Sequence, residues 1–228
     1  MKYLSAVVRK AVFFDRGQRI FSQGASFTSC FVVKSGAIKT VMTSKRGDEK
    51  ILGFYLPGEM FGLDGVNAGS YACSAYALER SSVCEIPFER LEKLMSELPH
   101  LQHYLLRIMS QEIAAAEDLG MLLSVNTAEE RIVSLVLTLS SRHARRRMPH
   151  LKFRLPMSRS DIANFLGLAV ETVSRIFGRL QKAGLVKFSS REVEILDLSA
   201  LQRQLQQVTE RDKACPLQLI TMPRAGRS

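Results

Sequence analysis

Residues 157–188, which read MSRSDIANFLGLAVETVSRIFGRLQKAGLVKF, decide the fold of this chain. The spacing of apolar residues predicts one helix over residues 159–166 and a second over residues 170–183. Gly167 falls where the chain must turn sharply, and Gly184 suits the end of the second helix. Two short amphipathic helices joined by a tight turn indicate a helix-turn-helix.

The second helix has a polar outer face that suits the major groove of DNA. A recognition helix places its N-terminal residues against the base edges, where arginine pairs with guanine and a carboxylate accepts from cytosine. We therefore assign DNA binding to five residues of this helix: Glu171, Thr172, Ser174, Arg175 and Arg179. The alternative is a solvated face on an ordinary two-helix core.

The sequence around the two helices favours DNA binding. Ser158 and Asp161 have the spacing of a capping box at the first helix. Residues 185–188 and 193–196 are strand-like on either side of a Ser189–Ser190 turn, which predicts a β-hairpin wing.

Positive charge is concentrated in the same half of the chain. Residues 1–124 carry 14 Lys and Arg against 13 Asp and Glu, whereas residues 125–228 carry 18 against 9. This distribution suits phosphate contacts. A run of arginines precedes the motif, and taken alone it is best interpreted as a solvated loop: Arg142, Arg145, Arg146 and Arg147.

Composition excludes several classes of protein. No apolar run approaches the length of a membrane span, so we expect a cytoplasmic chain with no membrane partner. The four cysteines form no C-x-x-C pair and do not indicate a disulfide framework. All four histidines follow residue 98, so we expect neither a cupin-type metal site nor an enzyme.

The first 98 residues show the pattern of short strands separated by turns. Seven segments rich in Val, Ile, Phe and Tyr are punctuated by glycines: 11–14, 19–21, 30–33, 37–42, 51–55, 71–78 and 82–86. Many short strands at near-even spacing predict a double-sheet jelly roll. The expected fold class is therefore α+β.

Residues 101–125 predict a long helix with a heptad seam. The seam residues step by three and four: Leu106, Met109, Ile113, Ala116, Gly120 and Leu123. A second apolar stripe adjoins it, so one stripe can serve the roll and the other a partner helix. The alternative is an ordinary amphipathic helix that lies on its own roll.

The stretch GLAVETVSRIFGRLQKAGLV strongly resembles the recognition element of the FNR branch of the CRP/FNR transcription regulators. In that branch a Glu-x-x-Ser-Arg triplet reads TTGAT-type half-sites, and Glu171, Ser174 and Arg175 fall on it. Ala169 departs from the pattern, because many relatives have Thr or Ser there as the N-cap. Loss of that cap costs about 0.5–2 kcal/mol of stability without changing the code.

The resemblance extends to the roll. RGQRIFSQG at residues 16–24 and LPGEMFG at residues 56–62 resemble the cyclic-nucleotide-binding β-roll. Relatives that bind a nucleotide use a Glu for the ribose, matched by Glu59, and an Arg for the phosphate, where this chain has Tyr71. A buried phosphate needs a charged partner, so we expect no nucleotide and a structural role for Glu59.

FNR-type oxygen sensors hold a [4Fe–4S] cluster on four cysteines. Cys84, in VCEIPFE, matches the ligand in the roll, but the three N-terminal ligands have no counterpart here. Cys30 and Cys73 match no ligand position and are expected to be buried. This chain alone cannot complete a cluster. Either the true start lies upstream, which the retained Cys84 favours, or the chain is a cluster-less relative.

Two further roles are implied by the resemblance. Relatives carry an acidic residue in the dimer helix that opposes pairing without a cluster, and Ala116 stands at that position. The loop at residues 43–50, TSKRGDEK, matches one that touches RNA polymerase, which implicates Gly47 and Asp48. A plain hairpin turn is the alternative for that loop.

The expected organisation has four parts: a β-roll over residues 1–98, a dimerisation helix over 99–125, a winged helix-turn-helix over 126–200 with a linker at 148–155, and a partly disordered tail over 201–228. We expect the tail to contain a short helix followed by a disordered end. The expected function is a homodimeric regulator that binds TTGAT-like inverted repeats in double-stranded DNA in response to oxygen or redox state. The alternative is a cluster-less regulator that senses another signal or is always active.

Overall fold

The computed structural model of the chain describes residues 11–189 and 191–212. Two four-stranded antiparallel sheets form the expected roll, with strand orders β1-β8-β3-β6 and β2-β7-β4-β5. The strands are β1 (Val12–Phe14), β2 (Arg19–Phe21), β3 (Ser29–Ser35), β4 (Ile38–Thr43), β5 (Glu49–Tyr55), β6 (Met60–Phe61), β7 (Ser74–Ala77) and β8 (Ser81–Pro87). The α+β fold is confirmed, and the two-residue strand β6 is an addition to the seven predicted strands.

Aromatic side chains fill the space between the two sheets. Phe21 stacks on Tyr71 with ring centroids 4.0 Å apart, and Phe31 and Phe61 extend the stack. The hydroxyl of Tyr71 donates to the Ser29 carbonyl oxygen at 2.6 Å, so the buried phenol is satisfied. The interior of the roll is therefore filled by the aromatic side chains of its own strands and loops.

Three helices follow the roll: α1 (Phe88–Glu97), α2 (Pro99–Val125) and α3 (Ala128–Arg145). Helix α1 corrects the expectation that residues up to 98 contain only strands and turns. It forms because Leu91, Leu94 and Met95 make a short apolar stripe that packs beside Leu105 of α2. Among the described residues, no helix is long and apolar enough to cross a membrane.

The helix-turn-helix forms as predicted, with α4 (Arg159–Leu166) and α5 (Val170–Lys182). The hydroxyl of Ser158 accepts from the Asp161 amide at 3.0 Å, and the Asp161 carboxylate accepts from the Ser158 amide at 2.9 Å, which confirms the capping box. Gly167 has the left-handed φ of 64° that the tight turn requires.

The wing is larger than the predicted hairpin. Strands β10 (Val186–Ser189) and β11 (Glu192–Ile195) are joined by β9 (Lys152–Arg154), in the order β10-β11-β9. The predicted linker at 148–155 is therefore wrong in part: its centre is a strand because Phe153 lies in the core of the domain. Ser190, in the predicted turn, lies outside the described residues.

The expected boundary at residue 201 is also wrong. Helix α6 (Leu198–Asp212) begins before it, and Leu201 is fully buried in the core of the winged helix-turn-helix. The first part of the expected tail therefore belongs to that domain, because its apolar face packs on α3. Residues 1–10 and the expected disordered end at 213–228, including Cys215, lie outside the described residues.

The roll and the winged helix-turn-helix share one apolar core. Val41, Ile51 and Phe54 of the roll belong to the same buried cluster as the core of the C-terminal domain. The rings of Phe54 and Phe165 meet at 5.0 Å between centroids. The DNA-binding part is therefore packed against the roll.

Truncation of Leu201 tests whether α6 is part of the domain. Leu201→Ala is expected to lower the free energy of unfolding by about 2–5 kcal/mol, because it leaves a cavity in a closed core. The matched control is Leu196→Ala at a residue that is 54% exposed, with an expected change within about 0.5 kcal/mol. Equal effects in urea denaturation would show that α6 is not packed as described.

Candidate nucleic-acid interface

Helix α5 presents a divided surface. Its apolar residues Val173, Ile176 and Phe177 are buried, whereas Glu171, Ser174 and Arg175 are exposed. The hydroxyl of Ser174 donates to the Val170 carbonyl of its own helix at 3.0 Å, a hydrogen bond that it can exchange for one to another acceptor. The structure thus places the three residues of the predicted triplet together on the outward face of the first turns.

Thr172 and Arg179, the other two residues assigned to DNA binding, are not exposed on the first turns with this triplet. Thr172 is half-buried, at the margin of the exposed face. Arg179, in the last turn, makes an ion pair with Glu129 of α3 at 2.9 Å. Its guanidinium is 56% exposed, so this surface pair stabilises the fold only weakly. Arg179 therefore lies at the edge of the candidate interface and is engaged by α3.

Arg159, which the sequence analysis did not single out, lies beside the recognition helix. Its guanidinium carbon is 3.8 Å from the centroid of the Phe177 ring and 5.3 Å from that of Phe188 on the wing. Burial lowers the pKa of Arg159 to about 10, which leaves it charged at neutral pH. A fixed cation between α5 and the wing suits a phosphate contact. In the sequence, the one feature that could have pointed to Arg159 is its position directly after the N-cap residue Ser158.

The arginine run before the motif divides into two pairs. Arg145 and Arg147 are exposed, but Arg145 lies in the last turn of α3 and not in a loop. Arg142 and Arg146 instead make ion pairs with Glu59 of the roll, with Arg142 Nε 2.8 Å from Glu59 Oε1. For these two residues the solvated-loop interpretation is wrong, because the end of α3 reaches the turn between β5 and β6.

Glu59 is the centre of this contact. Its carboxylate accepts from the Leu56 amide at 2.7 Å within the turn, and the Arg142 guanidinium also donates to the Phe54 carbonyl at 2.6 Å. Burial opposes ionisation of Glu59, but the hydrogen bonds and charge of Arg142 outweigh it and lower the pKa. The expected structural carboxylate thus also joins the roll to the DNA-binding domain.

A cavity of about 370 Å³ lies between the roll and α2. Its wall is largely apolar, and it includes the carboxylates of Asp64 and Glu112 but no lysine or arginine. Tyr71 lies within the aromatic stack of the roll, and Glu59 is engaged by two arginines. These contacts disfavour a cyclic phosphate, since an anion would meet carboxylates without a cation.

The described cysteines do not fit a four-thiolate cluster. Cys30 and Cys73 are buried, as expected, and burial raises the pKa of Cys30 to about 11. Burial, and then the charge of Asp64, also raise the pKa of Cys73. Cys84 lies half-buried on β8. Within residues 11–189 and 191–212, no group of three or more His, Cys, Asp or Glu is placed to hold a metal ion.

Helix α2 leaves its predicted seam uncovered in the single chain. Leu106 and Ile113 are 57% and 60% exposed, and Met109, Ala116 and Gly120 are also exposed. Leu123 is half-buried. The adjoining stripe faces the molecule, with Leu105 buried. Met109 and Ile113 also line the cavity between the roll and α2, so the predicted seam and the inner stripe are not fully separate there. Exposed apolar residues missed by the pattern extend the surface: Tyr104, Met121 and Val125.

The loop between β4 and β5 is exposed and ordered by its own hydrogen bonds. The Ser44 amide donates to the Asp48 carbonyl at 2.8 Å, and the Gly47 amide donates to the Ser44 carbonyl at 3.0 Å. Gly47 has a left-handed φ of 88°. Gly47 and Asp48 are thus displayed at the tip of a hairpin, away from the recognition helix in sequence and on a different domain.

A β-roll, a long helix with an open apolar seam and a winged helix-turn-helix together define the class of DNA-binding regulators with an effector-type domain. The model of the cyclic nucleotide-binding domain matches residues 11–97. The model of the Crp-like helix-turn-helix domain matches residues 130–204.

Known proteins agree with this class. The chain is 47% identical over 197 residues to the transcriptional activator protein FnrA of Stutzerimonas stutzeri, covering 86% of this chain and 81% of that protein. It is 40% identical over 198 residues to the fumarate and nitrate reduction regulatory protein of Escherichia coli, covering 87% and 79%. The structure of FixK2 from Bradyrhizobium japonicum superposes with a TM-score of 0.78 at 28% identity, covering 86% and 96%.

The chain therefore belongs to the CRP/FNR family and is a DNA-binding transcription regulator of the FNR type. The resemblance found in the sequence is confirmed. The family is one of transcription regulators and not of enzymes, and it implies dimerisation.

Acid titration tests the contact at Glu59. Because its pKa in the folded state lies below the ordinary value of 4.5, its stabilisation is complete above about pH 4.5 and is lost as pH falls through the lowered pKa. At pH 7, Glu59→Gln is expected to cost about 1.5–3 kcal/mol, the range for hydrogen bonds to charged groups. Calorimetric unfolding of both proteins from pH 7 to pH 3 should show the difference shrinking in acid. A constant difference would contradict this role.

Proposed function

We propose that the chain binds TTGAT-like inverted repeats as a homodimer and activates transcription through RNA polymerase in response to oxygen or redox state. The outward grouping of Glu171, Ser174 and Arg175 supports this proposal most directly. Arg175 would make the bidentate contact to guanine, and Glu171 would accept from cytosine N4. Ser174 would exchange its intrahelical acceptor for a base or phosphate. Since DNA is the partner, the site of action is the cytoplasm.

The proposed dimer uses the uncovered seam of α2. A parallel pair of these helices would bury Leu106, Met109 and Ile113 against their copies, and Ala116 and Gly120 would allow close approach. Two recognition helices would then face half-sites about one DNA turn apart. An inverted repeat is the target that matches this symmetry.

Activation is proposed through Gly47 and Asp48. The relatives from Stutzerimonas stutzeri and Pseudomonas aeruginosa are named transcriptional activator proteins. The exposed loop keeps a defined shape through its Ser44 hydrogen bonds, which suits a contact surface. The alternative is a hairpin turn without a partner.

Two candidates remain for the signal to which the regulator responds. Resemblance to FNR-type regulators supports oxygen or redox sensing, with Cys84 as the matched cluster ligand. The second candidate is a regulator that senses something else or is always active. Promoter occupancy in cells grown with and without oxygen separates the candidates, because only the first predicts a difference.

Base recognition is tested at Arg175. Arg175→Ala is expected to weaken binding to a TTGAT inverted repeat by about 1–3 kcal/mol, because one bidentate base contact is lost. Binding to a random duplex should fall much less. Fluorescence anisotropy measures both, and Arg80→Ala, at an exposed site in the roll, is the matched control. Equal losses on the two duplexes would contradict base recognition.

The seam is tested by sedimentation in aerobic buffer. The chain is expected to be a dimer at tens of micromolar, because Ala116 places no charge in the seam. Ala116→Asp should shift it to monomer, since facing buried carboxylates cost several kcal/mol, and lower pH should partly restore the dimer. Ala114→Asp, on the solvent side of α2, is the control. A wild-type monomer that is otherwise folded would show that the seam is insufficient.

The polymerase contact is tested at Asp48. Asp48→Ala should reduce transcription in a reconstituted assay at saturating protein while leaving the affinity for DNA within about twofold, because the loop is remote from α5 in the sequence. Asp15→Ala, at another exposed turn of the roll, is the matched control. Normal activation by the Asp48 variant would remove the polymerase contact from the proposal.

A further inference from the structure

The base of the polymerase-contact loop (residues 43–50) is bound to the first helix of the helix-turn-helix. The side chain of Asn164, near the end of α4, accepts from the Ile51 amide at 2.7 Å and donates to the Glu49 carbonyl at 2.8 Å. It therefore satisfies main-chain groups on both sides of Lys50, on a strand that has no neighbour on that edge of its sheet.

Lys50 also bonds to α4. Its ammonium donates to the carbonyls of Asn164 at 2.5 Å and Phe165 at 3.1 Å at the C-terminus of α4, and the Asn164 carbonyl accepts from the Gly167 amide as well, at 3.3 Å. The next carbonyl, of Leu166, accepts from the Arg131 guanidinium at 3.1 Å. Cations at a helix C-terminus are favourable because of the helix dipole. The turn of the helix-turn-helix is thus held from the roll and from α3.

Arg131 also reaches the dimerisation helix. Its guanidinium donates to the Leu123 carbonyl at 2.7 Å, at the end of α2, and to the Asn126 carbonyl at 3.0 Å. The end of α2, the end of α4 and the base of the contact loop therefore meet at one place, which we call the α4 junction: Lys50, Arg131 and Asn164.

The other side of the loop is fixed within the roll. The side-chain amide of Gln23 accepts from the Thr43 amide at 2.8 Å and donates to the Thr43 carbonyl at 3.2 Å. The loop is therefore clamped at both ends by carboxamide side chains, one from the roll and one from the DNA-binding domain. Of these two clamps, only the one made by Asn164 joins the loop to the DNA-binding domain.

We propose that Asn164, with Lys50, is a positioning residue for activation: it fixes the contact loop relative to the helix-turn-helix, so that the DNA-bound protein presents the loop to RNA polymerase at a set place. This inference rests on the proposed polymerase contact of Gly47 and Asp48. Asn164 itself touches neither partner. Loss of its side chain removes the hydrogen bonds to Glu49 and Ile51, whereas the bonds of Lys50 to the main-chain carbonyls of α4 remain.

Asn164→Ala is tested for DNA affinity and for activation in the same reconstituted system. The expected result is an affinity within about twofold of wild type and, at saturating protein, a loss of activation of about threefold or more. Lys50→Met removes the reciprocal bonds and should act in the same direction. Ser160→Ala, at an exposed residue on the same helix, is the matched control and should activate normally.

Hydrogen exchange supplies a readout independent of transcription. In Asn164→Ala the Ile51 amide loses its acceptor, so exchange at Ile51 is expected to accelerate, while amides of α5 keep their protection. Loss of protection throughout α4 and α5, together with loss of DNA binding, would show that Asn164 serves the helix-turn-helix itself and would overturn the proposal.

Asp48→Ala in parallel separates this inference from the function on which it rests. If Asp48→Ala reduces activation and Asn164→Ala does not, the positioning role is wrong and the polymerase contact stands. If Asp48→Ala activates normally, the polymerase contact fails, and the positioning role fails with it. The double variant should activate no less than Asp48→Ala alone, because both act through the loop. Additive losses would overturn the proposal.

Discussion

The position of the DNA-binding domain relative to the roll depends on the ion pairs of the Glu59 carboxylate. Glu59 lies in a turn of the roll, yet its partners Arg142 and Arg146 are at the end of α3 in the following domain. The carboxylate and the two guanidinium groups are half-buried, with 17%, 23% and 25% of their side chains exposed, so each charge is stabilised by its partners. The three charges therefore hold α3, and the helices packed on it, against the roll.

Further contacts hold the DNA-binding domain against the roll. Phe54 and Phe165 share an apolar core, Lys39 pairs with Asp161 at 2.6 Å, and Lys50 caps α4. None of these contacts covers the outward face of α5, where Glu171, Ser174 and Arg175 are exposed. A change that reaches the roll or the dimerisation helix can thus reach the recognition helix through direct contacts.

Local features of this structure were predictable, and distant pairings were not. The helix-turn-helix, the Ser158 capping box and the seam of α2 follow from periods of three to four residues. Arg142 is 83 residues from Glu59 in the sequence, and no local pattern relates the two. Strand β9 was missed because two of its three residues, Lys152 and Arg154, are charged and it is defined by its pairing with β11, about 40 residues later. The paired state of Arg179 depends on Glu129, which only the fold brings near.

The most direct test of the central claim is the distance between the roll and the recognition helix in the absence of ligand and DNA. Spin labels are attached at positions 34 and 182, in place of Lys34 and Lys182, and Cys84 and Cys215 are replaced by serine. Double electron–electron resonance then measures the distance between the two labels, in labelled chain diluted with unlabelled chain. A single narrow distance is expected for the wild type and a broad distribution for Glu59→Gln. A broad wild-type distribution, or identical distributions in the two proteins, would contradict the account.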